Sequence, residues 1–599
     1  MKDNLQKTLL FVLIQIFITL LIVLYFILKR TYAPNYIFWI LISLNIIYVS
    51  SIIIFYRKHY IVFLIIFVLS IGLIPITYLN EVRYLEKDAI FESQFADSLI
   101  KNDRYDPRLG KGFAENYYGY NPLLHVILAK LSIISGLNTY IISKTLLPLI
   151  FRVLILILTY IIAFELTRDK FIAAISSLIA FVSPAFIPIS VSRRTLGEVF
   201  LLLSLLYLIK YTKKNKLSYY VLYLISSVLI IVSDHSTSYI LLLFLVSAYV
   251  YTLISNMFVK DHKFVIFNNL SVHIIIFFVL FLTWETIFAR VLFNTELGYI
   301  GDIILFIKTS FGIDSVLGSN VYGPSAVHIN LIYETILAYA SQLIFIAIAS
   351  LGIIYFLINF KRLVKDPNQK ILTFLVIFGF IGYIISGLLI RTRLNVVSST
   401  VLWIFTIPLA ILISLTIFKV VKFGENLTKF SAVIVISLIF ISGLIIGFTP
   451  SITNRDFNKD IVLGEPRSRS LELFDSGKWL KSQVNDAKVL GDPTVFDIYT
   501  GFYSFDTATD FETFRLYKSS PIELESILGN GILFGNYKHT QFRSRVDYLI
   551  INEAVFKYPS FIFNEPLDED IIIKFDKSES LDRIYDNQEI FIYKNNFNN

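Results

Sequence analysis

Asp88 and Glu92 stand four residues apart in "DAIFESQFADSLIK". That spacing puts two carboxylates on one face of a short helix, with Phe95 or Ala96 continuing the stripe. Carboxylates held together at a membrane surface are costly unless they bind a cation, accept hydrogen bonds or take up a proton as a base. A solvated loop of mixed charge has the same composition, so the residue types alone leave these readings open. Elsewhere, Arg193-Arg194 and Arg391 with Arg393 offer guanidinium forks that match phosphate oxygens, or that snorkel to an interface. Asp234-His235 has metal-ligand chemistry, with Glu198 or Asp88 as further oxygen donors, and is equally a hydrogen-bonded helix cap.

The elements that must position these groups are membrane helices. The 599-residue chain is 56% hydrophobic and only 16% charged, with mean hydropathy +0.68. Runs such as Leu9 to Leu28, Ile61 to Leu79 and Phe430 to Phe448 match the length that crosses roughly 30 Å of hydrocarbon. About thirteen such spans are expected, the first of them a signal anchor. There is no cysteine, which excludes disulfides, thiolate metal sites and cysteine nucleophiles. The +8 net charge lies mostly in short loops between spans, so it concerns orientation and not nucleic acid.

Alternate short loops are rich in Lys and Arg, for example Lys58, Arg168, Lys213, Lys214, Lys361 and Lys422, and by the positive-inside rule these are cytoplasmic. The amino terminus is then inside, provided that "PLLHVILAKLSIISG" does not cross; its roughly fifteen residues suit an interfacial helix. Three long segments fall outside: Asn80 to Tyr120, about Trp284 to Asn330, and everything after Pro450. The expected organisation is therefore N-terminal spans over 1–80, a first outer loop with interfacial helices over 81–140, a bundle over 141–450, and an extracytoplasmic α/β domain over 451–599. The last rests on short β-like runs, "KVLGDPTVF", "VDYLIINE" and "DNQEIFIYK", separated by turn residues. Aromatic residues between Trp284 and Tyr322, with Glu285, suit either an interfacial girdle or a cover over a ligand.

"DAIFESQFADSLIKNDRYDP" followed by "YGYNPLLHVILAKLSIISGLN" resembles the first outer loop of the GT-C superfamily of membrane glycosyltransferases. The likeness is to the protein O-mannosyltransferase and lipid A aminoarabinose transferase branch. Asp88 takes the position of the family's Asp, Leu99 and Tyr105 the later apolar and aromatic positions, and Asn121-Pro122-Leu123 the Pro-Pro-Leu turn. Ala89 stands where a second acid often follows. "SRRTLGEVFLLLSLLYLIKYTKK" is similar to a family segment with an acid at the outer end of a span, here Glu198, and "IVSDHSTSYILLL" resembles the next such junction. The resemblance covers roughly Glu81 to Lys260, and two additional spans precede the one that ordinarily enters this loop.

The resemblance implies transfer of a sugar from a polyprenyl phosphate or pyrophosphate to a protein, lipid or glycan acceptor at the outer face of the cell membrane. Asp88 would then be the general base, with inversion at the anomeric carbon. Glu92, Glu198, Tyr117 and Tyr118 would hold the acceptor or sugar, and Arg193, Arg194, Arg391 and Arg393 the lipid phosphate. No cofactor is required by the sequence, and a divalent cation (Mg or Mn) is left open. Two other classes remain in view. A transporter or flippase of lipid-linked sugars would place charge deep in the bundle, whereas ionisable residues read as scarce near mid-span. A non-catalytic, membrane-anchored surface protein would need far fewer spans.

Overall fold

The computed structural model describes residues 2–29, 36–56, 59–76, 87–105, 119–181, 192–258, 267, 269–290, 293, 332–363, 367–389, 395–423, 425–452, 471–491, 495, 498–499, 503, 505–508, 520–530, 532–534, 542–553, 556, 568 and 570–596. The protein divides into two compact units. One contains residues 1–79, 144–284 and 329–455; the other contains 80–143, 285–328 and 456–599.

Apolar side chains and intrahelical hydrogen bonding make helix the form in which such a chain enters hydrocarbon. The chain begins with α1 (Lys2–Lys29), α2 (Tyr36–Ser51) and α3 (Tyr60–Ile76). Next come α4 (Lys87–Asn102) and α5 (Leu123–Ser135). A short turn and a π-helical segment, Ile142–Leu146, lead into α6 (Leu147–Thr167), followed by α7 (Lys170–Phe181). Three helices then run nearly without a break: α8 (Arg193–Lys214), α9 (Leu217–Ser233) and α10 (His235–Phe258). The bundle continues through α11 (Leu270–Thr283), α12 (Ile332–Ile358), α13 (Pro367–Leu389), α14 (Asn395–Phe423) and α15 (Asn426–Ile452).

Among the described residues, six helices are long and apolar enough to cross a membrane: Gln6–Leu24, Thr139–Thr167, Arg193–Lys214, His235–Asn256, Leu270–Phe288 and Phe405–Lys422. Eight shorter apolar helices of 10–17 residues accompany them. The architecture is thus mostly helical with apolar spans. Together these fourteen apolar helices fit a polytopic membrane protein. The helix α5 is one of the short ones. Its 13 residues reach about 20 Å, less than the hydrocarbon thickness. Its end is fixed by Gly136 at φ +69°, whose N–H bonds to Ser132 O; the left-handed conformation suits glycine.

In the second unit, a small domain is built on α16 (Leu471–Gln483), α17 (Pro521–Asn530), α18 (Asp570–Asp576) and seven strands. These are β1 (Lys488–Leu490), β2 (Asp506–Ala508), β3 (Ile532–Phe534), β4 (Phe542–Ser544), β5 (Tyr548–Asn552), β6 (Leu581–Asp586) and β7 (Ile590–Asn595). The three β-like runs singled out in the sequence supply β1, β5 and β7. Five strands form a sheet in the order β2-β1-β5-β7-β6, with β1 parallel to β2 and β5, and β7 antiparallel to β5 and β6. The central β5 is buried along its whole length, which is why "YLII" is continuously apolar where an exposed strand would alternate. Leu473, Leu480, Val489, Tyr499, Ile550 and Ile592 share the core, and Tyr499 donates to Ser476 Oγ at 2.9 Å, so its buried hydroxyl is satisfied.

Candidate functional site

The acidic stretch forms the helix α4, buried through consecutive residues near its start. Ala89, Ile90, Phe91, Glu92, Phe95 and Ala96 are all buried, and the helix stops at Asn102, before Asp103 at φ +52°. Asp88 is the second residue of α4, and its side chain lies outside the described residues, as do Tyr117 and Tyr118. Glu92, one turn on, is 1% exposed and forms an ion pair with Nε2 of His125, itself fully buried on α5. Tyr105 lies on the other side of that imidazole. Its hydroxyl is 2.6 Å from Gly119 O and 2.8 Å from His125 Nδ1. Both Phe95 and Tyr105 stack on the ring, with centroids 5.0 and 5.7 Å away.

This chain of contacts orients the imidazole. A phenol has one proton to give, and the Gly119 carbonyl can only accept it. Tyr105 therefore accepts from His125 Nδ1–H. The other imidazole nitrogen meets the Glu92 carboxylate. Glu92 and His125 thus act as a pair that holds α4 against α5, and the buried charge is compensated inside the loop. A turn further along, Thr139 Oγ1 donates to Asp97 Oδ1 at 2.7 Å. Burial raises the Asp97 carboxyl above its ordinary range, and this hydrogen bond and Lys101 oppose the shift.

In the bundle unit, α8 begins at a Ser192 cap whose side chain accepts from the Thr195 N–H. Arg193 is buried at 5% exposure. Arg194 donates through Nε to Glu198 Oε1 at 3.2 Å, the i,i+4 pairing of a helix surface turned inward, with Glu198 only 3% exposed. Asp234 lies in extended backbone between α9 and α10. Its Oδ2 accepts from Thr237 N at 2.8 Å, Thr237 Oγ1 at 2.6 Å and Ser236 Oγ at 2.6 Å, which caps α10. Arg193 lies close enough to act electrostatically on Asp234 and His235, and Asp234 on Glu198. One end of the bundle therefore gathers Arg193, Arg194, Glu198, Asp234 and His235. Arg391 and Arg393 lie outside the described residues.

Gly197 lets these two junctions meet. A Cβ there would lie 2.7 Å from Thr237 Oγ1 and 3.0 Å from Asp234 Cβ. We expect Gly197→Val to destabilise the protein by about 1–3 kcal/mol, the usual range for overpacking a filled interior. The check is the thermal unfolding midpoint of the purified protein; an unchanged midpoint would contradict the close approach. The capping role occupies Asp234 Oδ2, and among the described residues no three His, Asp or Glu side chains form a metal-binding group.

Sequence reading missed two cations. Lys144 is 3% exposed in the π-helical turn, and Arg152 is 2% exposed in α6. Both fall within the apolar run Thr139–Thr167. Charges in such a run are costly enough to be functional candidates by default, and π turns frequently mark such places. The signal was present as a lone Lys and a lone Arg in a run of 29 residues whose other charge is Glu165. Arg152 is one of the scarce ionisable residues near mid-span. Glu285, fully buried in the π-helical turn Trp284–Phe288, is a third such group. His125, too, was passed over, because nothing local marks it as the partner of an acid 33 residues earlier.

No known protein-family model matches the chain, and no curated protein matches its sequence. Solved structures do. The oligosaccharyltransferase of Archaeoglobus fulgidus, solved with Zn and sulfate, is similar at TM-score 0.50 and 12% identity, over 86% of this chain and 68% of that one. ArnT from Cupriavidus metallidurans bound to undecaprenyl phosphate gives TM-score 0.41 and 11% identity, over 88% and 97% of the two chains. The mycobacterial arabinofuranosyltransferase AftD gives 0.44 and 11%, over 94% of this chain and 42% of that one. The chain therefore shares its fold with the Archaeoglobus fulgidus oligosaccharyltransferase.

Proposed function

We infer that the protein is a GT-C-type glycosyltransferase that takes a sugar from a polyprenyl phosphate or pyrophosphate and passes it to a protein, lipid or glycan acceptor at the outer membrane face. The observation that carries the reading is the likeness of the fold to the Archaeoglobus fulgidus oligosaccharyltransferase over 86% of the chain. The acidic helix supports it, because Asp88 precedes by one helical turn a carboxylate that is already paired with His125.

An acceptor hydroxyl is a weak nucleophile at neutral pH. Asp88 would take its proton as the oxygen attacks the anomeric carbon, the carbon–phosphate-oxygen bond breaks on the opposite side, and the configuration inverts. The departing phosphate keeps the bonding electrons and needs cations, which Arg193, Arg194, Arg391 and Arg393 would supply. Glu198, Tyr117 and Tyr118 would hold the sugar or acceptor. Glu92, fixed by His125, acts from behind Asp88 by holding the helix. A divalent cation would have to use Asp234 or His235. With Oδ2 of Asp234 spent on three donors, no step is routed through a metal.

The test is incubation of the purified protein with labelled polyprenyl-phosphate and polyprenyl-pyrophosphate sugars and mixed peptide, lipid and glycan acceptors. Label moves to an acceptor if the reading holds; intact donor in every reaction rejects it. A second reading, flipping of lipid-linked sugars, is favoured by the buried Arg152 in the span Thr139–Thr167. In proteoliposomes it would move the donor between leaflets without cleaving it.

A further inference from the structure

We propose that the hairpin joining α8 to α9 is a binding site for the headgroup of an anionic phospholipid. Five residues carry the argument. Lys210 and Lys214 both place their ammonium groups 5.8 Å from the centroid of the Tyr219 ring. Lys216 follows at the exposed turn, where Asn215 adopts φ +47°. Beside it Leu217 is 73% exposed, an apolar side chain next to a cation at the end of the span Arg193–Lys214.

Charge is not balanced there. Glu165 is the nearby acid, and it is already shared: Lys213 donates to its backbone carbonyl and lies 3.9 Å from its carboxylate, while Arg168 sits 3.2 Å from the same group. Among the described residues, Lys210, Lys214 and Lys216 pair with no carboxylate. A phosphodiester oxygen is the counter-charge that three lysines around one turn can share.

A second observation sets the depth. Tyr211 of α8, Tyr220 and Tyr223 of α9 and the buried His273 of α11 form an aromatic cluster at the same end, with centroid distances to the imidazole of 5.9, 5.3 and 5.0 Å. Asn269 donates to the Tyr211 hydroxyl at 3.3 Å. Tyrosines with lysines at the end of a span mark the headgroup level, where rings are half apolar and half wet. A lipid there would rest its glycerol and upper chain on Leu217 and its phosphate among the three ammonium groups. This site is independent of the transfer reaction.

The experiment is native mass spectrometry of the full-length protein, delipidated in neutral detergent at low salt and titrated with phosphatidylglycerol or phosphatidylcholine. Compared are the parent, Lys210→Gln/Lys214→Gln/Lys216→Gln, and an equal charge change elsewhere, Lys419→Gln/Lys422→Gln/Lys429→Gln. The parent is expected to prefer phosphatidylglycerol by about a hundredfold, the product of roughly fivefold from each lysine beside an anionic headgroup. The hairpin variant brings the two lipids to parity, and the control variant keeps the preference. Equal binding of both lipids by the parent, a preference that survives in the hairpin variant, or its loss in both variants overturns the proposal.

Discussion

Asp88→Asn lowers the rate of sugar transfer by roughly a hundredfold or more, the usual share of a general base. The substitution is isosteric, so the helix and the shape of the site persist while the proton acceptor is removed. The loss should fall on kcat, because a carboxylate that acts only as the acceptor hydroxyl gives up its proton adds little to ground-state binding. Lipid-linked donor should therefore still bind, and its KM should stay within a few-fold of the parent value. The measurement is initial rates with one labelled donor across acceptor concentrations. Undiminished transfer by the variant would remove Asp88 from the mechanism. A loss confined to KM would make it a binding group.

The second large effect is on stability. His125→Leu leaves Glu92 buried at 1% exposure without the group that compensates it. Breaking a buried pair from one side costs about 3–5 kcal/mol, whereas replacing both members with apolar residues is close to neutral. The single variant should therefore loosen the packing of α4 on α5, and Glu92→Leu/His125→Leu should recover most of the loss. Amide hydrogen exchange of Ile90 to Ala96 reads this locally, since protection there reports the opening of this helix. Equal damage in the single and double variants would mean that His125 matters for its shape and its stacking on Phe95 and Tyr105. It would then not matter for the charge of Glu92.

Much of this molecule follows from local rules. Apolar run length and scarce charge identify membrane helices without reference to any contact, because each helix satisfies its own backbone. The acidic stretch after Lys87 read as a helix, and "KNDRYDP" set its end. Alternation and turn residues located β1, β5 and β7. These are interactions between neighbours in sequence, and neighbours can be read in order.

Other features depend on which distant segments pack together. The Glu92–His125–Tyr105 chain joins side chains whose spacing has no period, so only the docking of α5 on α4 selects it. Arg152 is a single charge in an apolar run, and only its burial within α6 singles it out. The contact of Gly197 with Thr237 depends on how α8 meets the start of α10, and α4 and α5 share one compact unit with the carboxy-terminal strands. The sequence by itself determined that this is a helical membrane protein with an acidic helix in its first long loop. Tertiary structure alone decided which charges are paired, because a buried charge takes its partner from whatever chain folds against it, at any separation.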